Sequence, residues 1–326
     1  MIRRKDGIHV EAGGSVGTVV ADARSAVGDV NLVTHAHADH AFRRTPDTVC
    51  CSTTTAALVA ARTGSTFEFT DSVPGIELLP AGHVAGSRAA LIDGVGEHDR
   101  RVLYTGDFST RDRAYLSGFD PVPADVLVME TTYGDPAYRF PDQDALEAEI
   151  RDWLADDDAP LFLFGYSLGR AQKLQKLARE ATNRPIVASD SILTVNDAIE
   201  AATGVAFDAD PLRADELDGD EIVVLPSNQA RSDWVVDLVE RVGGLKAGFS
   251  GWAVDDSFLY RGGYDVTFPL TDHCDFDELL AVVAAVDPET VYTHHGFDET
   301  FAAHLQKRGY DARPLLYEQT ALSEFA

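Results

Sequence analysis

The chain has little of what marks a secreted, membrane-bound or cross-linked protein. It contains three cysteines in 326 residues, an odd number without framework spacing, which argues against structural disulfides and a cysteine-based zinc site. No apolar run approaches the ~20 residues of a membrane span, and the N-terminal segment lacks the apolar centre of a signal peptide. We therefore expect a cytoplasmic protein.

Basic residues are also scarce, because 27 lysines and arginines stand against 54 aspartates and glutamates, for a net charge of −27. The acids are scattered along the chain rather than gathered in one tail. This pattern is typical of a solvated coat in a halophilic cytoplasm, although a partner-binding acidic surface has the same composition. At ~1 M salt the Debye length is only ~3 Å, so the net charge does not exclude a nucleic-acid partner.

The order of apolar segments predicts an α/β protein of about two domains. The first third alternates short apolar strands with turns, and helical patterns occur at 54–64 and directly after His40. The middle of the chain alternates helices with buried strands, as in a parallel sheet, and the last part returns to strand, helix and strand. The α/β block in the middle is therefore predicted to be an insertion.

A cluster of metal-binding side chains follows an apolar run in the first third. The segment "THAHADHA" has the order H-x-H-x-D-H, from His35 and His37 to Asp39 and His40. Alternate residues at a strand end point the same way, so His35 and His37 can approach one ion. Asp39 and His40 lie a step further along the chain, where they can approach a second ion. Imidazole and carboxylate suit zinc, manganese or iron, and the absence of cysteine ligands disfavours redox chemistry.

Three further segments place ligand-type residues where a strand ends. They are "PAGHVAGS" with His83, "LYTGDFS" with Asp107, and "YTHHGF" with His294 and His295. Catalytic groups are commonly held at such strand-to-loop positions. Alone, each residue could equally cap a turn or belong to the core, but with the first cluster they complete two metal shells.

These motifs together resemble the metallo-β-lactamase fold, a four-layer αββα sandwich with a one- or two-zinc site. The rest of the chain resembles the β-CASP branch of that fold, nucleases that process DNA or RNA. In that branch "VMETTYGD" matches the first extra motif, on Glu130, and "LTDHCDFDEL" matches the second, on His273. "YTHHGF" matches the third, in which the residue before the glycine is the ligand, so the resemblance selects His295 rather than His294.

A closer resemblance covers nearly the whole chain. The segments "ETTYGDPAYRFP", "GYSLGRAQKL", "SGW" and "TDHCDFDELL" are similar to the compact ligase-associated DNA exonucleases, also described as mRNA 3′-end processing factor-like. Two departures, Cys274 in place of alanine and "ETTYG" in place of E-S-T, remove no ligand. The resemblance implies a metallo-β-lactamase domain over 1–134 and 268–326, an inserted β-CASP domain over 135–267, and DNA ligase or a helicase as a partner.

The resemblance also implies a role for each site residue. A hydroxide shared by two zinc ions, or alternatively manganese ions, would attack the phosphodiester. His273 would protonate the leaving oxygen and Glu130 would orient its ring, although Glu130 could instead only make turn hydrogen bonds. The expected ligands are His35, His37 and His83 for one ion, Asp39, His40 and His295 for the other, and Asp107 between them; the expected catalytic residues are Asp39, His273 and Glu130.

The segment "LFLFGYSLGRAQKLQKLARE" predicts a contact with nucleic acid. A buried strand runs into a helix start whose free backbone N–H groups could hold a phosphate. Lys173, Lys176 and Arg179 recur every three residues and share a helix face in a lysine-poor chain, although an ordinary solvated face has the same pattern. The predicted nucleic-acid-binding residues are Ser167, Gly169, Arg170, Lys173 and Lys176.

The motifs favour a two-metal DNA exonuclease and leave an RNA 3′-end nuclease as the alternative, because the metal centre contacts only phosphate. A small-molecule hydrolase of the same fold needs neither Glu130 nor His273. A non-catalytic scaffold would have lost ligands, whereas this chain keeps all seven. Trp252, Tyr133 and Tyr138 are either stacking partners for bases or core residues.

Overall fold

The computed structural model describes residues 1–13, 16–156 and 158–317, and the chain forms two compact units. The second unit contains Arg111–Leu116 and Ala137–His273, and the first unit contains Met1–Thr110, Ser117–Pro136 and the described residues from Cys274 onward. The domain limits predicted from the sequence, at 134 and 267, stay predictions, and residues 318–326 of the last predicted segment lie outside the described residues. No helix in the described part of the chain is long and apolar enough to cross a membrane.

The described residues form short strands and helices throughout the chain. The N-terminal elements are β1 Ile2–Lys5, β2 Gly7–Glu11, β3 Thr18–Ala21, β4 Val30–Leu32, β5 Val49–Cys50, α1 Thr53–Thr63, β6 Phe69–Thr70, β7 Ile76–Pro80, β8 Arg88–Val95, β9 Arg100–Tyr104 and β10 Val126–Glu130. The middle elements are α2 Gln143–Asp156, β11 Leu161–Gly165, α3 Arg170–Ala181, β12 Ile186–Ala188, α4 Asp190–Thr203, β13 Asp210–Pro211, β14 Ile222–Pro226, α5 Asp233–Val242, β15 Leu245–Phe249, α6 Ser257–Gly262 and β16 Val266–Phe268. The C-terminal elements are α7 Phe276–Val286, β17 Thr290–His294, α8 Asp298–Lys307 and β18 Ala312–Pro314.

Two sheets share one apolar core in the first unit. The first sheet has the strand order β1-β2-β3-β4-β5-β6, and the second has the order β18-β17-β10-β9-β8-β7. Alternate residues of β10 face opposite ways: Val126 and Val128 join the core shared with the first sheet, whereas Leu127 and Met129 pack with α7 and α8. The second sheet is therefore covered on both faces, as its continuous apolar strands predicted.

The second unit is built around a parallel sheet of order β13-β12-β14-β11-β15-β16. Its central strand β11 is buried along its whole length. Leu161 and Leu163 pack with α2, α3 and α4, and Phe162 and Phe164 pack on the opposite face with α5. This alternation of helices with parallel strands confirms the α/β layer predicted from the sequence, so the protein is of mixed α/β class.

The helix predicted directly after His40 is wrong. His37 O accepts bonds from the amides of His40 and Ala41, which form a single turn. The amides of Arg43 and Arg44 then donate to Arg24 O instead of continuing a helical ladder. The following "TPD" places a proline where a helix could not continue. The three cysteines are free and buried, as their odd number predicted.

A buried group of charges lies inside the second unit. Asp272 Oδ1 is 3.2 Å from Arg113 Nη1, and Asp272 Oδ2 is 3.2 Å from Arg170 Nη2. Burial alone would raise the pKa of Asp272, but the two guanidinium groups outweigh it and lower that pKa. Nearby, Lys173 Nζ is 2.7 Å from a carboxylate oxygen of Glu147, and burial lowers the pKa of Lys173 to about 8. These charges are held by one another rather than by water.

We expect Asp272→Asn to destabilise the protein by about 3–5 kcal/mol, because it leaves two buried guanidinium groups without their carboxylate. Urea unfolding at neutral pH measures this loss. Because the folded pKa of Asp272 is lowered, its contribution should be full above pH ~4 and should disappear as the pH falls below that value. Asp220→Asn is the control, since it removes an exposed carboxylate that pairs with Arg184. Equal losses in the two variants would contradict the prediction.

Candidate metal centre

The site residues of the first unit lie where strands end. β7, β9, β10 and β17 run in the same direction in the second sheet, so their carboxyl ends share one edge. His83 follows β7, Asp107 follows β9, and His295 follows β17. The H-x-H-x-D-H segment follows β4 of the first sheet. Regular strands thus position side chains that are far apart in sequence.

Four of the predicted ligands form one close set. A ligand atom from each of His35, His37, His83 and Asp107 lies within 4.8 Å of those of the others. His37 Nδ1 is 3.1 Å from both His35 Nε2 and His83 Nε2. Asp107 Oδ2 is 3.7 Å from His35 Nε2 and 3.8 Å from His83 Nε2. Zinc–nitrogen bonds of ~2.0–2.1 Å at tetrahedral angles place ligand atoms about 3.3 Å apart, so these four residues fit one ion.

His40 lies on the other side of the Asp107 carboxylate. Its buried Nε2 has no hydrogen-bond partner among the described residues, and it lies 3.6 Å from Asp107 Oδ1 and 4.0 Å from Asp39 Oδ2. Burial alone would lower the pKa of His40, but the carboxylates of Asp107 and Asp22 outweigh it and raise that pKa to about 10. The surroundings of this nitrogen therefore favour a positive charge, and a cation suits the space between these oxygens.

The structure places the two adjacent histidines of "YTHHGF" differently. His295 is exposed, has a left-handed backbone with φ of 64°, and stacks its ring on His40 at 5.7 Å between centroids. His294 is buried against Tyr104, and burial lowers its pKa well below the usual value. The contact with His40 supports His295 as the ligand, and the choice between the two stays a prediction.

Asp22, which no sequence motif predicted as a site residue, fixes the orientation of His40. Asp22 Oδ2 is 3.0 Å from His40 Nδ1 and accepts hydrogen bonds from Tyr104 Oη and Thr34 Oγ1, both at 2.7 Å. Its other oxygen accepts from the Thr34 amide at 2.8 Å. A carboxylate behind a ligand histidine fixes the ring and its tautomer. The available signal was an acid directly after the apolar strand β3, whose parallel neighbour β4 leads into the histidines.

Glu130 and His273 belong to different units. Glu130 is buried at the end of β10, where its Oε2 accepts a hydrogen bond from the Thr132 amide at 2.7 Å. This turn contact is the alternative role that the sequence left open. His273 is the last residue of the second unit, and its amide donates to Thr271 Oγ1 at 3.2 Å. A pairing of Glu130 with His273 stays a prediction.

Two of the predicted nucleic-acid-binding residues of α3 are buried, and the nucleic-acid contact itself stays a prediction. Arg170 and Lys173 are only 2% and 4% exposed, because they pair with Asp272 and Glu147 inside the second unit. Lys176 is half-buried, and its Nζ donates to Ala206 O. The backbone amides at the helix start are also engaged. The amide of Gly169 donates to Gln172 Oε1, and the amide of Ala171 donates to Tyr166 O. Ser167, which precedes the helix, is half-buried.

We expect Asp22→Asn to weaken zinc binding about 10–100-fold, because the His40 ring loses its anionic partner. Competition with a chromophoric chelator measures the affinity. Asp29→Asn is the matched control, since Asp29 is an exposed acid of the same region that accepts a bond from the Thr18 amide. Its zinc affinity should equal that of the unmodified protein. An unchanged affinity in Asp22→Asn would show that His40 needs no such support.

Comparisons with known proteins give the chain several relatives. No family model matches the chain. It is 36% identical over 300 residues, 86% of its length, to a "Probable DNA ligase" of Opitutus terrae, and it spans 28% of that relative. It is 30% identical over 125 residues to an "Uncharacterized protein in lig 3'region" of Acidianus ambivalens, covering 37% of this chain and 84% of that protein.

Two further matches are to a cleavage and polyadenylation factor and to a solved fold. It is 35% identical over 101 residues to "Cleavage and polyadenylation specificity factor subunit 3" of Dictyostelium discoideum, covering 29% of this chain and 12% of that protein. A crystal structure of a protein of unknown function from Enterococcus faecalis V583 shares the fold with a TM-score of 0.61, at 13% identity and 97% coverage of both chains. With the ligand motifs, these relatives show that the chain belongs to the β-CASP branch of the metallo-β-lactamase family.

Proposed function

We propose that the protein is a metal-dependent nuclease that hydrolyses phosphodiester bonds, and that it acts as an exonuclease on DNA. The observation that carries this proposal is the close set of His35, His37, His83 and Asp107, with His40 on the other side of the same carboxylate. Buried imidazoles and carboxylates converge here at strand ends, where a polymeric phosphate can approach. Relatives named as a probable RNase and as an endoribonuclease are each 36% identical to part of this chain.

The proposed architecture is the αββα sandwich of the family with an inserted α/β domain. In the first unit, two sheets share a core and α7 and α8 cover the outer face of the second sheet, which accounts for three of the four layers. The fourth layer would be α1, which buries Leu58 and Val59 in the unit. The parallel sheet of the second unit has helices on both faces, as an inserted β-CASP domain requires.

The proposed cofactor is a pair of zinc ions, with manganese as the alternative. Bound divalent ions acidify water and neutralise the charge of the scissile phosphate. The chain's own residues set where this occurs. His35, His37 and His83 would hold one ion, Asp39, His40 and His295 the other, and Asp107 would contact both. Asp22 holds the His40 ring in place through Nδ1, which keeps the ring from turning toward Asp107.

The leaving oxygen of the strand needs a proton, which we assign to His273 as the general acid, with Glu130 as its positioning residue. His273 is outside the proposed ligand sets. The adjacent Asp272 is fixed by Arg113 and Arg170, which restrains the backbone on the N-terminal side of His273. This assignment rests on the family motif and on that restraint.

DNA is the favoured polymer because one relative is named a probable DNA ligase and another lies in a lig 3′ region. A DNA ligase is therefore the proposed partner. RNA is the second candidate, supported by the relatives named as a cleavage and polyadenylation factor and as an endoribonuclease. A small-molecule hydrolase has less support, because Glu130, His273 and the whole second unit would have no role in it.

The function is tested by offering matched 5′-labelled single-stranded DNA and RNA to the zinc- or manganese-loaded protein at high KCl. We expect a ladder of shortened DNA products, faster than any RNA cleavage, and metal analysis should return two ions per chain. Asp107→Asn is the control for contaminating nucleases and should abolish the ladder. Cleavage of RNA alone would support the second candidate, and cleavage of neither polymer would overturn the proposal.

We expect His273→Ala to lower kcat by roughly 10²–10⁴-fold while metal content and strand binding stay normal, because attack does not need this proton but departure does. Glu130→Gln should lower kcat less. A substrate with sulfur as the leaving atom needs no proton and should restore much of the rate to His273→Ala. Loss of a metal ion from His273→Ala, or no rescue by the sulfur substrate, would remove His273 from the role of general acid.

A further inference from the structure

The second unit contains a pocket at the carboxyl ends of three neighbouring parallel strands. Tyr166 directly follows β11, Ser227 follows β14, and Ser250 follows β15. The pocket has a volume of ≈ 550 Å³, within the usual range for small-ligand sites. We infer that this pocket holds one unpaired nucleotide of a nucleic-acid strand, an inference that rests on the proposed nuclease function.

The topology of the sheet supports a ligand at this position. The chain leaves the central strand β11 for β12 on one side, returns to β14, and then crosses to β15 on the other side of β11. Open parallel sheets bind ligands in the crevice outside the carboxyl ends of their strands, where the chain changes direction in this way. The pocket residues that follow β11, β14 and β15 surround that crevice.

The walls of the pocket offer aromatic faces. Tyr166 is 54% exposed, and the rings of Trp252, Phe258 and Tyr264 also line the pocket. Trp252 packs edge-on against Tyr138 at 5.1 Å. Tyr166, Trp252 and Phe258 are exposed or half-buried and suit stacking by a nucleobase, whichever base it is, whereas Tyr264 is only 6% exposed and supports the wall.

The position of Tyr264 is built into the backbone. A Cβ on Gly262 would lie 1.9 Å from Tyr264 Cε2, and a Cβ on Gly248 would lie 2.4 Å from Tyr264 Cδ2. Only glycine at both positions leaves room for this ring. Phe164 and Phe258 contact the same ring at 5.7 and 5.4 Å between centroids. The aromatic wall is therefore preorganised before any ligand arrives.

The charge of the lining distinguishes this pocket from the rest of the chain. Acidic residues outnumber basic ones by 54 to 27 in the sequence, yet the described residues that line the pocket include two arginines and no acid. Arg170 is held by Asp272 and by Phe249 O, and its guanidinium lies over the Tyr166 ring at 5.0 Å. Arg261 is exposed at the rim, and its Nη2 donates to Ser257 Oγ. Because Asp272 matches the charge of Arg170, Arg261 is the guanidinium of the lining that is placed to meet an anion.

Stacking faces, a rim guanidinium, and the hydroxyl and amide groups of Ser227, Asn228 and Ser250 match a base attached to a phosphate. A purely apolar ligand would make no use of Arg261. A base within a duplex stays stacked on its neighbours and cannot enter, so the pocket selects an unpaired nucleotide. The pocket lies in the second unit, away from the proposed metal ligands in sequence, so its role can be tested separately from hydrolysis.

The test uses the full metal-loaded chain and a phosphorothioate-linked oligothymidine octamer that resists hydrolysis. Fluorescence anisotropy measures its Kd, and the quenching of tryptophan fluorescence measures the Kd of free thymidine 5′-monophosphate. We expect Tyr166→Ala to weaken octamer binding about 5- to 100-fold, because a stacking face is lost. Tyr166→Phe should restore binding. A plot of the logarithm of the octamer association constant against the logarithm of salt concentration should become less steep by about 0.7 in Arg261→Gln, the value for one phosphate contact on a single strand.

Tyr260→Ala is the matched control, because Tyr260 is a 78% exposed tyrosine of α6 outside the pocket lining. It should bind the octamer as tightly as the unmodified protein. Octamer affinity that is unchanged in Tyr166→Ala, or lowered equally for octamer and duplex, would overturn the inference and leave the nuclease proposal standing. Conversely, the protein could cleave neither polymer and still bind the octamer or the mononucleotide through Tyr166. That result would support the pocket inference and overturn the nuclease proposal.

Discussion

The candidate metal centre depends on the carboxylate of Asp107, which lies between two groups of imidazoles. Its two oxygens are 3.6–3.8 Å from ring nitrogens of His35, His40 and His83. A carboxylate at the end of a buried strand and imidazoles from two other segments stay this close only if the strands fix them. The two sheets of the first unit provide this rigidity, because their shared core leaves the strand ends no freedom to separate.

Two buried histidines of the same unit differ in whether carboxylates outweigh burial. His40 and His294 are both almost fully buried, yet the pKa of His40 is raised and the pKa of His294 is lowered. Burial lowers the pKa of each ring, but the carboxylates of Asp107, Asp22 and Asp39 outweigh it at His40, whereas burial prevails at His294. The carboxylates that surround His40 include the predicted ligands Asp39 and Asp107.

The sequence predicted the α/β class and most helices and strands, since long apolar strands and amphipathic helices carry strong periodic signals. The ligand motif was also readable, because H-x-H-x-D-H has few other uses. Asp22 was missed because its role exists only through the pairing of β3 with β4, which no local pattern records. The burial of Lys173 on α3 was not predictable for a related reason. A lysine every three residues defines a helix face but not whether that face meets water or, as with Lys173, a buried carboxylate.

The ion pairs inside the second unit and the acids on the surface respond differently to salt. Surface charges are screened within a few ångströms at molar ionic strength, whereas buried pairs such as Asp272 with Arg113 and Arg170 are screened much less. Added salt thus removes the mutual repulsion of the acidic coat while the attractions that hold the interior keep most of their strength. The folded state of such a protein becomes more stable as the salt concentration rises. In dilute buffer the same buried ion pairs would have to offset the unscreened repulsion between the surface carboxylates.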